Sequence, residues 1–191
     1  KLGIEHFTGD DNDVLGRFFD CANSIGATTV VRITADCPFL DPKLIDKVID
    51  YYSDTKVDYC SNIHPPTFPD GLDIEVFSFE ALHQAYKYAR LNTEREHVTP
   101  YIWKHPGLFL CSNYIGYEDL SKYRIVLDHP EDFTQLEAIS QRIKTTDFRE
   151  VVDILTSNLD IASVNNEYAR NSSYERSLVE DCDKYRKNIE T

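Results

Sequence analysis

A helix followed by a tight turn and a short buried strand is the feature of this sequence that most constrains its fold. Apolar side chains recur at helical spacing from Val14 to Ile25, and Gly26 follows as a C-cap. Residues 28–33 are rich in β-branched side chains, as buried strands of parallel sheets are. This order predicts a layered α/β unit.

The alternation of helices and strands continues along the chain. Asp41 and Pro42 occupy the N-cap and first position of a second predicted helix. Further strands are predicted at residues 57–60, 72–77, 108–114 and 123–127, and further helices at residues 78–90, from residue 93 and from residue 130. The strand at 72–77 follows a proline-rich loop, which predicts an exposed edge, and Thr93 with Glu96 have capping-box spacing. Together these signals predict an α/β fold with a largely parallel sheet.

The balance of charge limits the class of ligand. The chain has 33 acidic and 20 basic residues, which gives a formal net charge of −13. Wrapping a nucleic acid requires a dense Lys/Arg surface, so no nucleic-acid partner is expected. Any phosphate ligand is expected to be small, with its charge offset by a divalent cation or by a few arginines.

Cysteine usage and hydropathy indicate a cytoplasmic protein. The five cysteines are odd in number, widely spaced and form no metal-ligand or redox motif, which suits a reducing compartment. No apolar run approaches the length of a membrane span, so no membrane partner is expected. Cys37 lies beside Asp36, but the sequence gives no sign of the base that a nucleophilic thiol requires.

Two aspartates follow predicted strands, where ligands of open α/β sheets bind. Asp36 comes soon after the strand that ends at Ile33, and Asp128 directly follows residues 123–127. Carboxylates at such positions can hold Mg²⁺ against phosphate oxygens. A helix cap is a weak explanation for Asp36 but an equally good one for Asp128, which precedes Pro130. We predict that the two aspartates lie together and form one metal site.

Other polar residues are candidates with competing explanations. Arg17 is either a nucleotide contact or a solvated position on an amphipathic helix. Arg95 and His97 are candidate substrate contacts beside a capped helix start. Asp73 and Glu75 alternate along a predicted strand and therefore share a direction, toward either substrate or water.

Five ordered motifs carry a family resemblance over about residues 1–140. They are Val14-Leu-Gly-Arg-Phe18, the segment from Arg32 to Asp41, Asp70-Gly-Leu-Asp-Ile-Glu-Val-Phe77, Arg95-Glu-His-Val-Thr-Pro-Tyr101 and Leu127-Asp-His-Pro-Glu-Asp-Phe133. In this order they resemble the spore-coat-polysaccharide branch of the acylneuraminate cytidylyltransferases. The resemblance implies a Rossmann-like nucleotidyltransferase fold with three layers, of the nucleotide-diphospho-sugar transferase type.

The resemblance also implies a reaction and a set of roles. CTP and Mg²⁺ would convert a sugar, with sugar acids among the candidates, into a CMP-sugar and pyrophosphate for cell-envelope polysaccharide synthesis. It matches Asp36 and Asp128 to the catalytic, metal-binding aspartates. The nucleotide-binding residues are then Arg17 and Arg32, and the substrate-binding residues are Asp73, Glu75, Arg95 and His97.

One departure from the family bears on activity. Family members begin with a strand and a loop rich in Gly, Arg and Lys, and no such segment precedes Leu2. We therefore expect an N-terminally truncated fold, with residues 1–145 as a partial cytidylyltransferase domain and residues 146–191 as a helical, partly disordered extension. By themselves these 191 residues are expected to have little activity.

Two alternatives to this function stay open, and one assembly is expected. A metal-dependent glycosyltransferase that consumes a nucleotide sugar would also place acids at strand ends, and a folded fragment without catalysis is a third hypothesis. Residues 61–114 contain prolines, aromatic residues and the predicted edge strand, so we expect them to supply a homodimer contact.

Overall fold

The computed structural model describes residues 3–189. In chain order the elements are α1 (Val14–Ser24), β1 (Thr29–Arg32), α2 (Pro42–Thr55), β2 (Tyr59–Ser61), β3 (Glu75–Ser78), α3 (Phe79–Tyr88), α4 (Asn92–His97), α5 (Pro100–Trp103), β4 (Cys111–Asn113), α6 (Pro130–Ser140), α7 (Phe148–Ser157), α8 (Leu159–Ala162) and α9 (Ser172–Ile189). The strands form one sheet in the order β1-β3-β2-β4. The α/β class predicted from the sequence is confirmed. None of the helices described between residues 3 and 189 is long and apolar enough to cross a bilayer.

The chain divides into two compact units. The first comprises Lys1–Val30, Phe77–Cys111 and Asn171–Thr191, and the second comprises Val31–Val76 and Ser112–Arg170. In the first unit, α1 packs on α3 and α4, and α4 packs on α9. The second unit has a core of aliphatic and aromatic side chains that includes Leu44, Val48, Leu72, Ile74, Ile125, Leu136, Ile139, Val151 and Leu155.

Helix α2 forms as the sequence predicts. Asp41 is its N-cap, and the carboxylate of Asp41 accepts a hydrogen bond of 2.8 Å from the backbone N–H of Lys43. The second carboxylate oxygen accepts a hydrogen bond of 3.3 Å from the N–H of Phe148 at the start of α7. A single side chain thus satisfies the free N–H groups of two helices.

Strand β3 differs from the prediction for residues 72–77. It lies between β1 and β2 and is buried, so the predicted exposed edge is wrong. The polar residue that suggested an exposed face is Glu75, whose residue surface is 2% exposed. Its carboxylate accepts hydrogen bonds from Arg32 and Tyr59, and a charge that is paired in this way can be buried in a sheet.

Residues 123–127 do not form the predicted strand. Ile125 and Val126 are buried, and among the described residues the segment forms one isolated parallel β-bridge, between Asp70 and Arg124, in place of a strand. Gly71 makes this approach possible, because its φ is +101° and a Cβ there would lie 2.7 Å from the carbonyl carbon of Ile125. The β-branched residues therefore form an extended, buried segment that lacks the ladder of hydrogen bonds of a β-strand.

The start of α4 is capped differently from the prediction. The N-cap is Leu91, and Glu94 accepts hydrogen bonds from the N–H groups of Arg90 and Leu91 at 2.8 and 3.0 Å. Asp181 of α9 accepts two more, from the N–H groups of Asn92 and Thr93. The predicted box of Thr93 with Glu96 is wrong because a carboxylate from a distant part of the chain takes its place.

Candidate active site

The loops that carry Asp36 and Asp128 are neighbours in the second unit. The backbone N–H of Leu127 donates a hydrogen bond of 2.9 Å to the carbonyl oxygen of Asp36. Asp36 follows β1 and is half-buried, while 37% of the Asp128 side chain is exposed. The two aspartates, 92 positions apart in sequence, are thereby placed on adjoining backbone segments, with both side chains partly open to a ligand.

Asp128 does not cap α6, so that explanation of its position is wrong. The helix N-cap is His129, and the carboxylate that serves the helix start belongs to Asp132. Asp132 accepts hydrogen bonds from the N–H groups of Asp128 and His129 at 3.0 and 2.9 Å. Burial opposes ionisation of Asp132, but hydrogen bonds from Arg124 and Asn165 and from these two N–H groups lower its pKa to about 2. Asp132 therefore fixes the backbone that presents Asp128.

Arg124 is the cation at the centre of this loop. Its guanidinium contacts Asp70 at 2.9 Å, Asp128 at 2.8 Å and Asp132 at 2.9 Å, and 8% of its side chain is exposed. Burial disfavours its charge, yet the hydrogen bonds to Asp132 and Asp128 raise its pKa above the ordinary value. Three carboxylates around one guanidinium leave the site with excess negative charge.

A second set of ionic side chains extends the acidic site. Arg32 donates to Glu75 at 2.5 Å, and the hydroxyl of Tyr59 donates to the other oxygen of Glu75 at 2.6 Å. The carboxylate of Asp73 accepts from Arg170 and remains 23% exposed. Burial, together with the neighbouring Asp70 and Glu75, raises the pKa of Asp73 to about 7 despite the charge of Arg170.

Cys37 lies beside Asp36, and its thiol is chemically unreactive. Its thiol contacts the hydroxyl of Thr34 at 3.1 Å and a carboxylate oxygen of Asp36 at 3.5 Å. Burial, and the nearby carboxylates of Asp36 and Asp73, raise the pKa of the thiol to about 12 even though Thr34 lowers it. A thiol that stays protonated is a poor nucleophile.

The remaining predicted site residues belong to the first unit. Arg95 pairs with Asp13, the N-cap of α1, and its guanidinium lies over the ring of Tyr86 at 5.2 Å from the centroid. Arg17 projects from α1 and makes an ion pair of 3.6 Å with Asp11. His97 at the end of α4 contacts the Ser177 hydroxyl at 3.1 Å. Arg95 and His97 thus contribute to helix packing within this unit.

Four residues of the site had not been singled out from the sequence: Asp70, Arg124, Asp132 and Arg170. Asp70 belongs to the Asp-Gly-Leu-Asp segment, and Asp132 lies in the first turn of a predicted helix, where the helix dipole alone favours an acidic residue. Arg124 occupies a position in a predicted strand that gives no hint of three acidic partners. Arg170 contacts Asp73, which is 97 positions earlier in the sequence, and no local sequence pattern predicts such a contact.

The donor set suits a hard divalent cation that is also held by its substrate. In the part of the chain that the structure describes, no three His, Cys, Asp or Glu side chains form a complete metal cage. Mg²⁺ commonly binds through one or two carboxylates and completes its shell with phosphate oxygens and water. Asp36 and Asp128, on adjoining loops and partly exposed, fit that mode of binding.

Comparisons with known proteins cover most of the chain. A family model described as Cytidylyltransferase matches residues 4–172, a span that includes the whole acidic site. The chain is 34% identical over 178 residues to an uncharacterized protein of Methanocaldococcus jannaschii, which covers 91% of this chain and 72% of that protein. It is 29% identical over 174 residues to the spore coat polysaccharide biosynthesis protein SpsF of Bacillus subtilis, covering 85% of this chain and 69% of SpsF. A solved structure of a cytidylyltransferase from Leptospira borgpetersenii matches with a TM-score of 0.80 and 29% identity, covering 87% of this chain and 72% of that one.

Proposed function

Because this chain belongs to the cytidylyltransferase family and is therefore a nucleotidyltransferase, we propose that it transfers CMP from CTP to a sugar hydroxyl. The hydroxyl oxygen bonds to the α-phosphorus of CTP as the bond to pyrophosphate breaks, and the hydroxyl proton is released to solvent. The product is a CMP-sugar. The similarity to SpsF supports a place in polysaccharide biosynthesis, in the cytoplasm where CTP is made.

The observation that carries the proposal is the hydrogen bond between Leu127 and Asp36. It joins the two loops whose aspartates match the metal-binding positions of the family. Asp36 and Asp128 would hold Mg²⁺, which when bound offsets the negative charge of the phosphates. Carboxylates that remain partly exposed are available for this role, whereas the fully buried Asp132 is not.

The other residues of the site act by holding position and charge. Arg124 and Asp132 fix the Asp128 loop, and the buried pair of Arg32 with Glu75 fixes the end of β1 that leads to Asp36. Preorganised groups of this kind lower the barrier because they need not rearrange during the reaction.

Residues of the first unit have proposed roles that rest on the family motifs. Arg17 is the proposed nucleotide contact. Arg95 holds the N-cap of the helix that carries Arg17, so it acts through that helix as well as by any substrate contact. His97 is kept as a proposed substrate contact, and residues 61–114 as a proposed homodimer contact.

The direct test is the release of pyrophosphate from CTP by the full-length protein, with a panel of sugars and a Mg²⁺ titration. We expect release with CTP to exceed release with ATP, GTP or UTP, and to cease when the metal is chelated. Consumption of a nucleotide sugar without release of pyrophosphate would instead establish a glycosyltransferase. Binding of CTP with no turnover of any sugar would favour a folded protein without catalysis.

A further inference from the structure

A cavity on the second unit lies outside the acidic site. Its volume is about 520 Å³, and its lining comes from residues 122–124, from one residue of α6, and from α7, α8 and the turn after α8. Asp36, Asp73 and Asp128 are described residues of the same unit and do not line it. Sites for small molecules have volumes of about 300–1,000 Å³, so the cavity has the size of a ligand site.

The charge of the lining differs from that of the protein as a whole. Among the described residues, the lining contains two cations, Lys122 and Arg124, and no carboxylate side chain. Arg124 is buried and already paired with three aspartates. Lys122 is exposed and has no ion-pair partner in the described part of the chain, and its ammonium lies 5.0 Å from the centroid of the Tyr123 ring. The cavity therefore offers one cation to a ligand.

Acidic side chains near the cavity do not neutralise this lysine. Hydrogen bonds from Ser121 and, to a smaller extent, the charge of Lys122 lower the pKa of Asp119, but no ion pair joins Lys122 to Asp119. Asp160 and Glu167 adjoin lining residues in sequence, and both are exposed and lie outside the lining. Exposed charges interact weakly through water, so Lys122 stays available to an anion.

The exposed polar side chains of the lining have unused hydrogen-bonding capacity. The Thr156 hydroxyl donates to the Val152 carbonyl at 2.8 Å, so the Tyr123 hydroxyl is the donor in their 2.9 Å contact and keeps its lone pairs. The Ser163 hydroxyl donates to a backbone carbonyl at 3.2 Å and can also accept. The side chain of Asn166 is exposed, and its amide has no hydrogen-bond partner among the described residues. A ligand can reach all of these groups from solvent.

Apolar surface lies beside the polar groups. The side chain of Leu159 is 76% exposed, and Leu155, Ala162 and the ring of Tyr123 also line the cavity. Small-molecule sites combine apolar walls with a few polar groups that fix the orientation of the ligand. A sugar has C–H faces that pack on apolar walls and hydroxyl groups that reach polar side chains. A phosphate on that sugar supplies the anion for Lys122.

We propose that this cavity is a second ligand site, which binds a small phosphorylated sugar. Lys122 binds the phosphate. Ser163 and Asn166 bind sugar hydroxyl groups, and Leu159 packs against the ring. Arg124 adjoins both sites, since it lines the cavity and pairs with the aspartates of the acidic site. A sugar phosphate in the cavity acts as an effector and not as a reactant, because no aspartate assigned to the metal lines it.

The test is a ¹H–¹⁵N NMR titration of the full-length protein with glucose 6-phosphate and N-acetylglucosamine 6-phosphate. Glucose, inorganic phosphate and CMP are separate arms, and each is repeated with Mg²⁺ and a saturating, non-hydrolysable CTP analogue. We expect the backbone amides of residues 122–123 and 156–166 to shift and the shifts to persist beside the analogue. Glucose or phosphate alone should bind about tenfold more weakly than a sugar phosphate, because each makes only part of the contacts.

Two variants with matched controls sharpen the test. Lys122→Gln removes the cation and should lower the affinity for sugar phosphates by about tenfold, to that of glucose. Ser163→Trp fills the cavity from an exposed position and should abolish the shifts. Lys47→Gln on α2 and Ser140→Trp on α6 make the same changes at exposed positions of the same unit outside the lining, and should leave binding unchanged.

Several results would overturn the inference. Inorganic phosphate that bound as tightly as the sugar phosphates would show an anion contact without a sugar site, and tighter binding of CMP would show a nucleotide site. Shifts confined to residues 36, 70–73 and 127–128, or lost when the CTP analogue is added, would place the ligand in the acidic site. An absence of shifts at millimolar ligand would leave the cavity without this role. The titration of the unaltered protein needs no variant, and it measures binding and not turnover, so its outcome is independent of the proposed reaction.

Discussion

Aspartates have different roles in two regions of the molecule, the acidic site of the second unit and the junction of α4 with α9 in the first unit. At the junction, Asp181 accepts hydrogen bonds from the N–H groups of Asn92 and Thr93 at 2.8 and 3.0 Å, and its acceptor capacity serves the helix. In the acidic site, Asp73 and Asp128 are each paired with an arginine and still partly exposed. An aspartate whose oxygens accept from backbone N–H groups stabilises the fold. An aspartate that is paired with an arginine and is still partly exposed can also bind a ligand.

The strongest test of this contrast is to remove charge from the exposed aspartates. Asp36→Asn and Asp128→Asn keep the side-chain size and remove a ligand charge, so Mg²⁺-dependent pyrophosphate release should fall by about 100-fold or more. Melting without metal should hold or rise, because neighbouring carboxylates repel each other. Assays across a Mg²⁺ titration, with Asp153→Asn as the control, measure both effects. Near-native turnover in both variants would leave these aspartates without a metal role.

A smaller but still large effect is expected at Asp132. This side chain is fully buried and accepts from Arg124, from Asn165 and from two N–H groups. Asp132→Asn should cost about 3 kcal/mol of unfolding free energy, because it weakens a buried ion pair and leaves a donor facing donors. Urea denaturation of the variant measures the loss. A change below about 0.5 kcal/mol would show that Arg124 is satisfied by its other partners.

The pH dependence of stability tests whether the pKa of Asp73 is raised in the folded protein. Its folded pKa of about 7 lies above the ordinary 3.8, so the native state retains a proton that the unfolded chain has released. Stability should therefore fall as pH rises between about 4 and 7, and Asp73→Asn should reduce that fall. Thermal melts from pH 5 to pH 8 give the comparison. Parallel curves for the two proteins would mean that Arg170 keeps Asp73 ionised throughout.

The smallest effect is expected at the junction itself. Asp181→Ala removes acceptors from the start of α4 and should cost about 1 kcal/mol, the usual value of a helix cap. CTP turnover should not change. Asp181→Asn keeps an acceptor and is the matched control, with a smaller loss. If Asp181→Ala abolished turnover while the protein stayed folded, the separation between structural and ligand-binding aspartates would fail.

Local patterns in the sequence predict local structure here. The Asp41-Pro42 pair and the apolar spacing of α1 each determine a helix within a few residues, and both helices are found. The strand predicted at residues 123–127 and the exposed edge at residues 72–77 depended on pairing partners elsewhere in the chain. Their errors arise because composition determines that a segment is extended or buried but does not determine what lies beside it.

The residues of the candidate site also fall into two groups, those that local sequence patterns identify and those that depend on distant contacts. Asp36 and Asp128 could be found because each follows an extended segment near a helix start, a position that local patterns reveal. Arg170 could not be found, because its value comes from Asp73 and Phe68, about 100 positions earlier in the chain. Sequence reasoning identified Asp36, Asp73, Glu75, Asp128 and Arg32, and missed Asp70, Asp132 and the two arginines, Arg124 and Arg170, that pair with the aspartates.

The long reach of the C-terminal segment has a consequence for biosynthesis. Asp181 caps a helix that begins 89 residues before it, and Arg170 pairs with a carboxylate 97 residues before it. The ribosome therefore has to release the chain as far as Arg170 and Asp181 before these contacts can form. Until then, the N–H groups of Asn92 and Thr93 lack the acceptor that Asp181 supplies, and Asp73 lacks its arginine partner, so both contacts form only after the elements that they join have been synthesised.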